Sequence, residues 1–438
     1  MHIGVYGSGY LATVISACLA DFGTPVCCCH ADSSHIVEVA KGNIPFYEKN
    51  LQEVIRRNVR SGRLVYSTDP EDLARRAQVI FLAEDSAQGL EELVLRMARA
   101  AGRMQVLSIV TPVRVGTTTA LEKVLKGHAL RSILVSQPMF FTNGCAVEDF
   151  NWPDRIILGT SSSEAVSALK QIFHPLVMRG VPVLVTNYET AELAREATTA
   201  FVATKISFIN EISSLCEHVH ADAVSLSLAL GLDKKIAPRC LQPGAGMGGI
   251  FAETDMESLS GLARENGVDL KILRAAREVN LSLADRMFDK VSGAIDNVQN
   301  KDVGILGLSF KPNTNSVAGS RESLRPGSYP GSSGAIEWHG EVLRVSLRSS
   351  RRSRRSRRRN RLARIPHAGL QQDPPSAETP HHHRHQEPSR FVPLACHGIS
   401  ILGRRKVVGI PSAPAYRQLL LRASRPAATC YNQLLRWE

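Results

Sequence analysis

A chain of 438 residues, 43% of them hydrophobic and 21% charged, has length for two or three domains and enough apolar side chains to give them cores. Its net charge of +12 does not describe a nucleic-acid-binding body: residues 342–438 hold 20 Lys and Arg against 4 Asp and Glu, which leaves residues 1–341 at −4. No apolar stretch approaches the ~20 residues of a membrane span, and the first residues enter a strand with no secretion-signal pattern, so a cytoplasmic protein is expected.

Residues 2–6 (HIGVY) read as a short buried strand, 7–9 as a turn, and 10–22 as a helix with apolar residues at helical spacing. Residues 26–29 form a second strand, and 79–82 and 106–110 two more, with a helix over 90–101 between them. Strands alternating with helices predict an α/β fold, a Rossmann-like doubly wound parallel sheet. The nine cysteines include the run Cys27, Cys28, Cys29. Neighbours on a strand point to opposite faces, so such a run cannot close a metal site. Buried, reduced thiols and no metal are expected.

A long helix without Gly or Pro is predicted over 190–218, carrying Phe201, Val202, Ile206, Ile209, Ile212 and Leu215. A further helix follows over 270–291, then a strand over 303–310. That strand opens a unit that is not completed. After about 320 the periodicity is lost, 326–334 is rich in Gly, Ser and Pro, and eleven arginines fall in 344–364. His381, His382, His383 and His385 follow in a Pro-rich stretch, and this cluster is read as compositional, not as a metal site. Such composition buries too little apolar surface to offset chain entropy. The expected organisation is therefore a Rossmann-like α/β domain over 1–185, a helical domain over 186–295, the start of a third α/β domain over 296–320, and a disordered basic tail over 321–438. The tail has two readings. One is a solvated segment attracting polyanions non-specifically; the other is an out-of-frame reading of the gene beyond about codon 320.

The pattern Gly7-x-Gly9-x-x-Ala12, set between a strand and a helix, is a dinucleotide turn. The first glycine allows the tight bend, the second the approach of a pyrophosphate, and the small third residue the packing of helix on sheet. Gly7, Ser8, Gly9, Tyr10, Leu11 and Ala12 are thus candidate cofactor contacts. The second strand should end in an acid that holds the ribose hydroxyls. His30 stands there, with Asp32 two residues on. The imidazole cannot accept a bidentate hydroxyl pair. Protonated, it would favour a 2′-phosphate; the plainer reading is a position released from cofactor duty. His35 is a further candidate on the cofactor side.

Five segments now carry a specific resemblance. They are the opening GSGYLATVISACLADFG; Ile44-Pro45-Phe46-Tyr47-Glu48 with Arg57-Asn58-Val59 and Gly62-Arg63-Leu64; Ala146-Val147-Glu148-Asp149-Phe150 with Pro153-Asp154-Arg155-Ile156; the helix segment ATKISFINEI from Ala203 to Ile212; and Phe310-Lys311-Pro312-Asn313-Thr314. In this order they resemble the UDP-glucose/GDP-mannose dehydrogenases, and the helix segment fits the UDP-glucose 6-dehydrogenase branch better. That family oxidises UDP-glucose to UDP-glucuronate with two NAD. A cysteine attacks the intermediate aldehyde, and the resulting thiohemiacetal is oxidised to a thioester that water hydrolyses.

Carried over residue by residue, the resemblance exposes replacements. Gly248-Gly249-Ile250-Phe251-Ala252-Glu253-Thr254-Asp255 stands at the family's Gly-Gly-Ser-Cys-Phe-Pro-Lys-Asp. Phe251 is at the nucleophile position, Met247 replaces an aromatic, and Thr254 replaces a lysine associated with NAD. Gln137-Pro138-Met139-Phe140-Phe141-Thr142-Asn143-Gly144 stands at Asn-Pro-Glu-Phe-Leu-Arg-Glu-Gly, so Met139 and Asn143 take the places of two carboxylates. Arg195 occupies the catalytic lysine position and Thr199 the asparagine. Arginine keeps the charge but cannot give up its proton. Pro112 replaces the threonine near the nicotinamide end, and Glu84-Asp85-Ser86 replaces a Gly-Thr-Pro loop after Phe81-Leu82-Ala83. Of the catalytic set only Asp255 is retained. Arg195, Thr199, Gly244, Gly248 and Lys311 are the positions placed on the UDP-sugar.

These readings imply a family member impaired or inactive in the four-electron oxidation, with NAD binding weak or lost. It is expected to pair as a homodimer or hetero-oligomer through the central helix, and not to associate with membrane. The alternatives are a non-catalytic partner of an active relative and a two-electron dehydrogenase. Cys240, beyond a Gly-rich turn from Phe251, is not expected to restore the nucleophile.

Overall fold

The computed structural model describes residues 2–248 and 250–294, and five further strands by their backbone alone. The chain divides into two compact units, one built on residues 1–284 with 309–323, the other on 285–308 with 324–438.

In the first unit eight strands alternate with helices. The strands are β1 (Ile3–Tyr6), β2 (Val26–Cys29), β3 (Leu64–Ser67), β4 (Val79–Leu82), β5 (Val106–Ile109), β6 (Ile133–Ser136), β7 (Ile156–Gly159) and β8 (Val183–Thr186). Between them run α1 (Tyr10–Asp21), α2 (Ser33–Ala40), α3 (Leu51–Arg60), α4 (Pro70–Arg76), α5 (Leu90–Ala101), α6 (Thr117–Gly127), α7 (Ala146–Asn151), α8 (Ser163–Ile172) and α9 (His174–Val177). The sheet order is β3-β2-β1-β4-β5-β6-β7-β8. Neighbours are parallel except β6 and β7, joined antiparallel at Ser136 and Gly159. The first six strands follow the order 3-2-1-4-5-6 of the Rossmann sheet, so the expected fold is present.

Strands covered on both faces are apolar throughout. Every residue of β1, β4, β5 and β7 is buried. One core cluster joins Ile3, Val5, Ile15, Leu19, Phe81 and Leu158, and a second joins Ile80, Leu82, Met97, Leu107 and Leu134 on the other face. Helix α1 is buried from Leu11 to Ala20, because Ala12, Ala17 and Ala20 let it lie close on the sheet. Cys28 and Cys29 are interior thiols, their pKa pushed up to about 12 by burial, and Cys27 is pushed up to about 11 for the same reason.

Helix α10 (Tyr188–Val219) runs 32 residues, about 48 Å. It starts at Asn187, whose side chain accepts from Thr190 N–H at 2.9 Å, and ends at His220 in a left-handed conformation. Helices α11 (Ala223–Leu232), α12 (Ile250–Glu265) and α13 (Lys271–Ala294) complete the helical part. Ala203, Met256 and Leu273 form a small core between α10, α12 and α13. The opposite side of α10 leaves Phe201, Phe208, Leu215 and Val219 more than half exposed. No helix among the described residues is long and apolar enough to cross a membrane.

In the second unit β9 (Asp302–Leu306) lies in a five-stranded sheet with β10 (Ser332–His339), β11 (Val342–Ser349), β12 (Pro393–Leu394) and β13 (Ile399–Gly403), in the order β10-β11-β9-β13-β12. All of its pairings are antiparallel. Four of these strands fall within 321–438. β10 and β11 pair as a hairpin. Its register opposes Ile336 to Val345 and Trp338 to Leu343 across a two-residue connection. Lys311, the arginine run 350–364 and the histidine cluster 381–385 lie outside the described residues.

Candidate functional site

The carboxyl ends of β1 and β4 lie side by side where the strand order reverses, the place at which this topology binds ligands. Gly7 turns the chain there at φ +148°, and a Cβ on it would lie 2.6 Å from Ala83 O and 2.9 Å from Ala12 Cβ. Glycine is therefore required at position 7, and Ala12 is the small residue that the packing needs. Ser8 and Gly9 continue the turn half-buried, and Gly9 is the N-cap of α1.

The N-terminus of α1 is already engaged. Tyr10 N–H donates to Asp85 Oδ2 at 3.0 Å and Leu11 N–H to Asp85 Oδ1 at 3.2 Å. The Asp85 carboxylate, carried on the loop after β4, takes the two amides that a dinucleotide pyrophosphate would use. The backbone turn is that of a dinucleotide-binding fold, and in this structure its two amides are engaged by the protein's own carboxylate.

The ribose end is also closed on itself. His30 Nδ1 accepts from Asp32 N–H at 3.0 Å. Nε2 faces Glu84 Oε1 at 3.4 Å. Glu84 N–H in turn donates to Thr111 Oγ1 at 3.0 Å, beside Pro112. His35 lies on α2. Below α1, Tyr10 Oη donates to Glu48 Oε2 at 2.6 Å, and Glu48 also accepts from Gly144 and Ala146 N–H at 2.8 and 2.9 Å. Burial raises the Glu48 pKa above the usual carboxylate range, while these three donors act in the opposite sense. Asn143 sits half-buried in the loop that Glu48 holds, and Met139 packs against the sheet core.

The second half of the site is built by α10 and α12. Arg195 Nη1 donates to Asp255 Oδ1 at 2.5 Å, and Thr199 Oγ1 donates to Asp255 Oδ2 at 2.9 Å. The Asp255 side chain is 5% exposed and that of Arg195 14%. The three positions predicted to share the catalytic pocket are thus brought together, with each Asp255 oxygen already taken. Phe251 is in the first turn of α12, on the same helix as Asp255. Gly244 and Gly248 lie in the loop before α12, pinned from two helices. Gly244 N–H donates to Asn210 Oδ1 at 2.7 Å, and Asn280 accepts from Met247 N–H at 2.7 Å while donating to Met247 O at 2.9 Å. Cys240 is exposed in that loop.

Two buried glutamates on α10 were not singled out from the sequence. Glu192 caps α6, accepting from Gly116 N–H at 2.6 Å, Thr118 N–H at 2.8 Å and Thr118 Oγ1 at 2.6 Å. Glu196, one turn on, is buried and keeps Oε2 without a hydrogen-bond partner among the described residues. Burial raises its pKa above the usual range, against the pull of a Ser258 hydrogen bond and the Arg195 charge. Their spacing of four on a face shared with Thr199 and Ala203 was the available signal. Arg155 ties this helix to the segment that carries Met139. Its guanidinium lies 3.9 Å from the Phe140 ring centroid and donates to Thr198 Oγ1 at 3.1 Å.

Comparison with known proteins agrees with this geometry. The UDP-glucose/GDP-mannose dehydrogenase NAD-binding domain matches residues 1–177, and the central domain of the same family matches 189–282. The UDP-glucose 6-dehydrogenase YwqF of Bacillus subtilis is 33% identical over 329 residues, covering 72% of this chain and 74% of that protein. The UDP-glucose 6-dehydrogenase of Rhizobium meliloti is 32% identical over 332 residues, covering 72% and 76%. The structure of a UDP-glucose dehydrogenase from the archaeon Pyrobaculum islandicum superposes with a TM-score of 0.66 at 27% identity, covering 73% of this chain and 77% of that one. A Rossmann sheet in this strand order, a long helix meeting α12 at Arg195 and Asp255, and relatives at this level of identity lead to one conclusion: the chain belongs to the UDP-glucose/GDP-mannose dehydrogenase family and carries its NAD-binding and central domains.

Proposed function

We propose that this protein keeps the scaffold of a UDP-sugar dehydrogenase without performing the four-electron oxidation of UDP-glucose. The Arg195–Asp255–Thr199 cluster carries this reading. Asp255, the retained member of the catalytic set, is held on both oxygens by Arg195, which stands at the lysine position and cannot give up its proton, and by Thr199, which stands at the asparagine position. With Phe251 at the nucleophile position and Met139 and Asn143 at the two carboxylates, no thiohemiacetal can form and no base is placed to hydrolyse a thioester. The test is NADH formation from UDP-glucose and NAD by the full chain. No heat-labile signal is expected, either from the natural sequence or from Phe251→Cys alone, because groups that act as one catalytic unit do not rescue singly. A steady signal from the natural sequence would overturn the reading.

A second element is pairing through α10, as a homodimer or with an active relative in the cytoplasm. Phe201, Phe208 and Leu215 recur at intervals of seven along the side of α10 away from α12, each more than half exposed. A stripe of this kind loses apolar surface to water until a second helix covers it.

A further inference from the structure

We propose that Asp85 is a built-in anion that holds the phosphate-binding end of α1 closed to a dinucleotide. This goes beyond the loss of chemistry proposed above, because it concerns binding and rests on different residues. Three observations place the carboxylate there. Both of its oxygens accept from the first two amides of α1, at 3.0 and 3.2 Å. It lies directly over Gly9, so that a Cβ on Gly9 would stand 2.0 Å from Oδ2. That is the space which the second glycine of the turn leaves open for a pyrophosphate. Finally, Glu84 beside it faces His30 at 3.4 Å, so a second carboxylate adds negative potential where the phosphates would enter.

A helix N-terminus carries a partial positive charge and amides without intrahelical partners, and either a ligand phosphate or a protein carboxylate satisfies both. The two cannot share two amides. A phosphate must therefore displace Asp85, give up the carboxylate's cap, and then remain near the displaced charge. Asp85 is exposed at the mouth of the cleft, so its side chain can rotate away, and the contact is a reversible competitor, not a change of fold.

The experiment compares the full chain with Asp85→Ala and Asp85→Asn, in a buffer free of phosphate and sulfate. Calorimetry measures the affinity of inorganic pyrophosphate and, separately, of NAD, and a thermal melt follows each protein. Asp85→Ala is expected to bind both probes at least tenfold more tightly than the natural sequence while melting at a lower temperature, since it loses the cap. Asp85→Asn, which can still accept one amide but carries no charge, should gain less. It also serves as the folded comparison if the alanine variant is unstable. A cap with only a structural role would lower the melting temperature and leave both affinities unchanged or weaker, and that result overturns the proposal. Tighter pyrophosphate without tighter NAD upholds the blocking contact and counts against the site as a dinucleotide site. Unchanged pyrophosphate affinity overturns the proposal whatever NAD does.

Discussion

Gly9 and Asp85, far apart in the chain, are packed so closely that a methyl group on the glycine would meet the carboxylate at 2.0 Å. Gly7, two residues earlier, is confined by backbone instead, with Ala83 O at 2.6 Å and φ at +148°. The two glycines should therefore respond differently to the same substitution. Gly7→Ala must move a strand end or strain its own backbone and is expected to cost about 2–3 kcal/mol. Gly9→Ala need only turn the Asp85 side chain aside and should cost less than about 1 kcal/mol. Urea unfolding of the two variants, with Gly9→Ala repeated in an Asp85→Ala background, measures both. Equal costs at positions 7 and 9 would contradict the packing described here.

The ion pair of Arg195 with Asp255 gives a second expectation. Removing one partner of a nearly buried pair leaves the other desolvated and uncompensated, a loss of about 3 kcal/mol. Asp255→Ala should lose about that much. Replacing both residues by leucine should lose clearly less, since no buried charge is then left alone. Denaturant midpoints of the single and double variants decide the matter. A double variant as unstable as Asp255→Ala would show that packing, and not the uncompensated charge, sets the cost.

Glu196 makes stability depend on pH in a stated direction. Its folded-state pKa is raised, first by burial and then by Asp255, while Ser258, Arg195 and Arg114 oppose the shift. The fold thus favours the protonated carboxyl. The stabilisation is fully present below the unfolded value of roughly 4.3 and is lost as pH rises through the raised folded value. Glu196→Gln removes this dependence. It is expected to be about 1 kcal/mol more stable than the natural sequence at pH 8, with the difference shrinking as pH falls towards 5. Urea titrations at pH 8, 6.5 and 5 test the sign, and a variant less stable at pH 8 would refute it.

The apolar stripe on α10 predicts association. At ~10 μM, sedimentation should find the natural sequence as a dimer. Phe201→Glu combined with Phe208→Glu should give a monomer with an unchanged helical circular-dichroism signal, because both side chains are exposed in the single chain. A natural sequence that sediments as a monomer would remove the basis for pairing through this face.

Much of the first unit was legible in the residues. The buried strands β1, β2, β4 and β5 are continuous apolar runs and lie where periodicity puts them, to within a residue. Helix α10 extends only one to two residues beyond either end of its pattern, because Asn187 and His220 supply the caps that periodicity does not encode. At the site, a replaced residue type was readable one position at a time: phenylalanine at 251, arginine at 195, histidine at 30. The partners of those residues were not. Glu84 and Asp85 were visible as the replacement of a loop, but not as the acids that engage His30 and close α1.

What the sequence determined by itself was the α/β class, the glycine turn that opens α1, the long uninterrupted helix and the residue types that stand at the family's positions. Each of these depends on residues close together in the chain, where backbone periodicity and side-chain type act directly. Only the tertiary structure decided who meets whom. Asp85 reaches Tyr10 and Leu11 across 75 and 74 residues, Glu192 reaches Gly116 across 76, and Arg195 reaches Asp255 across 60. The physical reason is the order of the sheet. Placing β4 directly beside β1 brings the ends of both strands to one edge. There the same helix terminus can be satisfied by a bound phosphate or by the chain's own carboxylate, and no local pattern distinguishes the two.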